Sequence, residues 1–203
     1  MLDRMSVPTK RGATYQDVLD APAHQVAELI GGDLYLQPRP AAPHTLASSA
    51  LGMILGSAFH RGVGGPGGWF LLDEPELHLG GDVLVPDIGG WRRDSGVEPE
   101  LRRAFFTTAP GWVLEVLSPS TGRKDRALKM PRYHCVGVEH VWLVDPAART
   151  LEVYRHHPAG YLLALAAGAA DRVHAEPFET LAVELAELWS AEAEEGGGDA
   201  RQP

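Results

Sequence analysis

Short apolar runs broken by glycine and proline dominate the chain, and they predict a sheet served by few helices. Residues 26–30 and 33–36 flank Gly31-Gly32, the composition of a two-residue hairpin whose glycines supply positive φ. Residues 69–72 and 76–79 predict two strands bent at Pro75, and 83–88 a short strand that ends in an acid, Asp87. Residues 111–121 open as an apolar run, which predicts a strand buried on both faces, yet Glu115 stands in its middle. A hairpin is predicted over 140–145 and 150–155, and 161–167 continues the sheet.

Helical spacing is clearest over 44–59. There Leu46, Ala50, Ile54, Leu55, Ala58 and Phe59 predict one long helix with a single apolar face. Thr14 with Asp17 has the form of a helix start, and Pro22 keeps that helix short. Ser118 to Thr121 predicts the cap of a helix over 122–133, with Pro131 expected to kink or end it. Leu181, Leu185, Leu188 and Trp189 predict a closing helix. Between these, 37–43 carries three prolines and predicts an extended connector, and 91–109 predicts an irregular surface loop. The glycine-rich loop 61–68 lacks the Gly-Lys-Ser/Thr ending of a phosphate-binding loop and predicts a simple turn.

With 203 residues, 44% of them hydrophobic, the chain is expected to form one domain: an N-terminal arm over 1–12, a core over 13–189 and an acidic, disordered tail over 190–203. One cysteine, Cys135, gives no internal disulfide framework, which fits a reducing cytoplasm. No apolar stretch reaches the ~20 residues of a membrane helix, so no membrane partner is expected. The net charge of −9 argues against nucleic acid until it is located. Nine of the eighteen lysines and arginines fall within residues 91–132, a window of net +4, and such a patch steers a polyanion despite a negative total. The competing reading is a solvated surface.

Two acids carry the candidate chemistry. By strand alternation Val83, Val85 and Asp87 share one face, as do Val113, Glu115 and Leu117. If the two strands are neighbours the carboxylates converge, and they repel unless a divalent cation lies between them. Oxygen-only ligation suits Mg²⁺ or Mn²⁺. Lys129, on the following helix, completes two acids and a lysine, a set suited to hydrolysing phosphodiesters. Structural readings compete at each position. Asp87 closes a strand into a turn, Glu115 pairs with Arg123 or Arg126, and Lys129 pairs with Asp125 along the helix. The histidines 134, 140, 156 and 157 show no fixed ligand spacing for a soft metal.

Val85-Pro86-Asp87, the string from Leu114 through Glu115 to Ser118-Pro-Ser-Thr121, Asp125-Arg126 with Lys129, and Val141-Trp-Leu-Val-Asp-Pro146 resemble the Uma family of restriction-endonuclease-like proteins, within the PD-(D/E)XK nuclease superfamily. The resemblance runs from about Thr14 to Trp189. It implies an α/β fold with a restriction-endonuclease-like core, a central mixed β-sheet flanked by helices. It also implies metal-binding roles for Asp87 and Glu115 and a catalytic role for Lys129. The superfamily's lysine stands two residues after the second acid, where this chain has Leu117, so Lys129 is a displaced match. Glu28 matches an auxiliary acid, whose competing reading is structural, and His44 a histidine near the site, whose competing reading is a helix cap. The implied activity is a Mg²⁺- or Mn²⁺-dependent endonuclease acting on DNA, as a homodimer if it cuts both strands. The alternative is a noncatalytic binding protein that retains the nuclease fold.

Overall fold

A computed structural model of the chain describes residues 7–189. In chain order these form β1 (Lys10–Arg11), α1 (Tyr15–Leu19), β2 (Gln25–Ile30), β3 (Asp33–Pro38), α2 (Ala42–Leu55), β4 (Trp69–Asp73), β5 (Leu77–Leu79), β6 (Asp82–Leu84), β7 (Ile88–Arg92) and β8 (Trp112–Val116). There follow α3 (Gly122–Lys124), α4 (Met130–Cys135), β9 (His140–Asp145), β10 (Thr150–Arg155), β11 (Leu162–Gly168), β12 (Arg172–Val173) and β13 (Val183–Glu184).

The central sheet is mixed, in the order β11-β10-β9-β8-β7-β4, and only β8 and β9 run parallel. A parallel pair needs a crossover, and the helical segment from α3 to α4 supplies it. On one face of the sheet, Trp112, Leu114, Val116 and Trp142 pack against Leu51, Leu55 and Phe59 from α2 and its extension. On the other face, Val113, Leu117, Val141 and Leu143 meet Tyr133 of α4 and residues of a second sheet, ordered β1-β3-β2-β6-β5. The strand carrying Glu115 is therefore covered on both sides, as its apolar run predicts. Among the described residues no helix is long and apolar enough to cross a membrane.

Several sequence expectations change. The run 83–88 is not one strand: β6 belongs to the second sheet, β7 to the central one, and 85–87 crosses between them. Pro86, which has no N–H for a ladder, sits at that crossing. The same break falls at Pro75, where β4 and β5 enter different sheets. The loop expected from 91 begins too early, because Trp91 is fully buried at the end of β7 and a 3₁₀ turn occupies Glu98–Arg102. Gly89-Gly90 hide that strand from a pattern search. A Cβ on Gly89 would lie 2.8 Å from Pro75, and one on Gly90 2.9 Å from Trp112, so packing excludes the side chains that signal a strand.

The long helix begins at Ala42, inside the expected connector, and passes at Gly56 into a wide π turn ending at His60. Its buried stripe runs through Ala47, Leu51 and Leu55, while Leu46 is exposed. Pro131 does not end the helix expected over 122–133, and the irregularity falls just before it. A π turn over Asp125–Lys129 precedes it and the helix continues to Cys135, because widening the turn relieves the clash between the proline ring and the preceding carbonyl. The closing helix is absent. Val183–Glu184 pairs with β12, and Leu185–Leu188 is a single 3₁₀ turn whose buried leucines mimic helical spacing. Lys10–Arg11, expected in a loose arm, pairs with β3. The acidic tail over 190–203 lies outside the described residues.

Candidate active site

Strands β7 and β8 run antiparallel with Ile88 opposite Leu114. One pairing step further, Asp87 falls across from Glu115. The backbone closes this corner: the Asp87 N–H donates to the Leu114 carbonyl at 3.1 Å, and the Val116 N–H donates to Asp87 Oδ2 at 2.6 Å. His44, in the first turn of α2, places Nε2 2.7 Å from Asp87 Oδ1. Both carboxylate oxygens of Asp87 are thus positioned, and the side chain keeps 17% exposure.

Asp87 faces a cleft of about 560 Å³, bounded by the β3–α2 connector, the loop after β8 and the β9–β10 turn. Glu115 and Lys129 do not line it. They lie behind Asp87, with Glu115 at 3% and Lys129 at 1% exposure. Lys129 Nζ lies 2.7 Å from Glu115 Oε1 and 2.8 Å from Oε2, 3.0 Å from Glu28 Oε1, and donates to the Val85 carbonyl at 2.9 Å. Its three N–H groups therefore have three partners. The Tyr133 hydroxyl donates to Glu115 Oε1 at 2.6 Å.

Glu28, in β2, is fully buried and bridges the two lysines of the crossover segment. Oε1 accepts the Val85 N–H at 2.9 Å, and Oε2 accepts Lys124 Nζ, which also donates to Gln37 Oε1 at 2.6 Å. Both backbone groups of Val85 are held by this cluster, so Glu28 and Lys129 set the path of the chain that carries Asp87. Glu115 does not pair with Arg123 or Arg126, and the Lys129 ammonium meets Glu115 and Glu28 rather than an Asp125 partner along the helix.

Burial and charge pull against each other here. Burial would raise the Glu28 carboxyl, but the ammonium groups of Lys129 and Lys124 outweigh it and hold it down to about 2. Burial pushes Glu115 up, Lys129 opposes, and the carboxyls of Asp125, Asp87 and Glu28 push it further up. Burial would lower Lys129, yet Glu115 and Glu28 raise it well above the usual lysine value, so it stays an ammonium. Burial and Glu115 together raise Tyr133, which stays a donor.

Sequence reading misses Lys124, Gln37 and Tyr133. Tyr133 follows Lys129 by four residues and so shares its helical face. Lys124 precedes it by five, which an α-helix would turn away. The π turn, closing five residues on, brings residues 124 and 129 to one side.

The basic window does not form one face. Lys124 and Lys129 are buried in the cluster, Arg132 pairs with Asp82 and Arg126 with Glu152. Arg92 lies over the Trp69 ring and Arg93 over that of Phe70. Arg123 and Arg126 line a shallow continuation of the cleft beyond Ser118 and Pro119. Among the described residues, no group of three or more His, Cys, Asp or Glu side chains is arranged to hold a metal ion.

A mixed sheet flanked by helices, with a Pro-Asp corner facing a buried glutamate and lysine, defines the α/β architecture of a nuclease fold. The model of the Uma2 family, described as "Putative restriction endonuclease", matches residues 13–186, and the chain belongs to that family. Among solved structures it is similar to a crystal structure described as "a putative nuclease belonging to DUF820 from Anabaena variabilis ATCC 29413". The TM-score is 0.69 at 21% identity, covering 87% of this chain and 97% of that one, and the likeness is one of fold. No curated protein matches the chain.

Proposed function

We propose that the chain is a metal-dependent endonuclease that hydrolyses phosphodiester bonds in DNA, using Mg²⁺ or Mn²⁺ at Asp87 and Glu115. The observation that carries this reading is the Asp87–Glu115 corner, where an accessible acid stands in front of a buried one that is held by Lys129. The donor atoms suit a hard divalent cation: both acids offer only oxygen, and Asp87, which lines the cleft, keeps lone pairs beyond its single hydrogen bond per oxygen. Magnesium is commonly held by one or two carboxylates with water and substrate phosphate completing its shell, so a cage of three protein ligands is not required. When bound, such an ion neutralises phosphate charge and acidifies a water.

The chain's own groups do the rest. His44 and the Val116 N–H fix the Asp87 carboxylate in the cleft. Lys129 and Tyr133 fix Glu115 behind it and keep its negative charge compensated. Glu28 and Lys129 hold the Val85 peptide, and with it the Pro86-Asp87 corner. In this reading Lys129 acts by positioning Glu115, and Glu28 supports the backbone rather than ligating.

Cleavage of plasmid and of single-stranded circular DNA with Mg²⁺ or Mn²⁺ tests the assignment. Asp87→Ala and Glu115→Ala are expected to lose at least about a hundredfold in rate, as removal of one preorganised charged group does. Equal activity in all three proteins overturns it. A second reading, a noncatalytic binding protein, is favoured by the full engagement of both Glu115 oxygens. Calorimetric titration separates the two: metal binding that Asp87→Ala abolishes supports the nuclease, and no binding at millimolar metal supports the binding protein.

A further inference from the structure

The cleft in front of Asp87 presents mainly apolar surface, with five prolines among its walls beside hydroxyls of Ser118, Ser120 and Thr121, where a duplex-binding surface would carry many cations. Pro38 ends β3, Pro40 lies in the β3–α2 connector and Pro43 at the start of α2, Pro119 comes from the loop after β8, Pro146 from the β9–β10 turn, and Leu117 joins them. Among the described residues no lysine lines it. Its arginines are Arg149, at the β9–β10 turn, and Arg39, which pairs with Glu74 at 3.3 Å. On the side of α2 the groove continues past Asp73 and Glu74, both acidic.

This chemistry does not suit an intact double helix. Duplex binding is dominated by phosphate neutralisation, with several lysines and arginines along the backbone. A duplex also keeps its bases stacked and out of reach of an apolar recess. An unpaired base has a flat apolar face to lay against the walls, and unstacking it costs little. The recess has the size of a pocket that accepts a small organic group, and it opens beside the acid placed at the scissile phosphate.

We propose that the cleft receives an unpaired base next to the phosphate to be cut, so that the substrate is single-stranded DNA, or the single-stranded part of a gapped or flapped duplex. This rests on the nuclease reading of Asp87. The groove beyond Ser118, lined by Arg123 and by Arg126, which pairs with Glu152, then carries the neighbouring phosphate at Arg123.

The test compares oligo-dT with a duplex of equal length, for binding by fluorescence anisotropy with Ca²⁺ and for cutting with Mg²⁺. Two exposed residues on opposite walls, Ala41 and Ala147, are replaced to fill the recess without touching Asp87. Oligo-dT is expected to bind at least about tenfold tighter than duplex and to be cut faster. Ala41→Trp and Ala147→Trp are each expected to weaken it by about tenfold, with melting temperature and metal binding unchanged. If duplex is bound and cut as well as oligo-dT, or both tryptophan variants behave as wild type, the proposal falls while the nuclease reading stands. If oligo-dT binds in a tryptophan-sensitive manner and nothing is cut, the base-binding cleft stands and the nuclease reading falls.

Discussion

The two faces of β8 are equally buried and differently filled. Trp112, Leu114 and Val116 enter an apolar layer in which the Trp112 ring meets Trp142 at 5.4 Å and Phe178 at 5.0 Å, both edge to face. Val113 and Glu115 face the helical crossover, and there Glu115, Lys129, Glu28 and Lys124 form a chain of charges shut away from water. The apolar face is stabilised by area removed from water, which is indifferent to pH. The charged face is stabilised only while every charge keeps its partner, since the cost of desolvating ions rivals their attraction. One face holds the strand in place. The other uses that rigidity to keep a carboxylate and an ammonium where packing alone would not put them.

The sharpest way to break this comparison is to remove one charge. Lys129→Met leaves Glu28 short of one cation and Glu115 without any, and is expected to cost about 4 kcal/mol in urea unfolding. Adding Glu115→Leu to that variant should recover at least half of the loss, because a neutral face needs no compensation. If the double variant is no more stable than the single one, the charged face is not a net cost. On the apolar face Leu114→Ala is expected to cost about 3 kcal/mol through the cavity it leaves, by the same amount at pH 5 and pH 8.

Glu28→Gln sharpens the contrast through pH. The folded Glu28 carboxyl is lowered to about 2, below its ordinary value of 4.5. Its contribution is therefore complete above about pH 4.5 and is lost as pH falls through about 2. The variant should be about 2 kcal/mol less stable than wild type at neutral pH, and the gap should close across that acid window. A gap independent of pH would mean that the variant loses packing rather than charge.

The division between the faces also marks what can be read from the residues. The covered strand is legible because an apolar run with a single acid in it has no continuous polar face to turn to water, so it must be buried on both sides. The Gly31-Gly32 hairpin is legible because its turn demands positive φ, which both glycines adopt. Treating 83–88 as one alternating strand pairs Asp87 with Glu115 for the wrong reason. Asp87 reaches the corner because the chain changes sheets at Val85-Pro86. The sequence offers Lys129 to the site and leaves Arg123 and Arg126 as competing partners of Glu115, because spacing alone does not rank cations on one helix. A π turn is a local change of register just ahead of Pro131, and it leaves no periodic trace. In the sequence Lys124 is one charge in a basic stretch, and only the position of β2, distant in sequence, buries it against Glu28.

The smallest expected effect isolates one hydrogen bond on the charged face. Tyr133→Phe keeps the ring, which packs with Val113, Val141 and Leu143, and removes only the hydroxyl that donates to Glu115 Oε1. Because Lys129 still meets both oxygens of Glu115, no charge is stranded, and the loss should be about 1 kcal/mol rather than the several of Lys129→Met. The direction on Glu115 is also set. A donor to the ionised carboxylate favours ionisation, so its removal pushes a carboxyl already raised by burial further up. If ionised Glu115 is needed for nicking, the acid limb of the pH–rate profile should move to higher pH in Tyr133→Phe while the plateau rate changes little. An unchanged limb together with unchanged stability would mean that Lys129 alone holds Glu115, and that the hydroxyl is only a polar tip accommodated in an apolar layer.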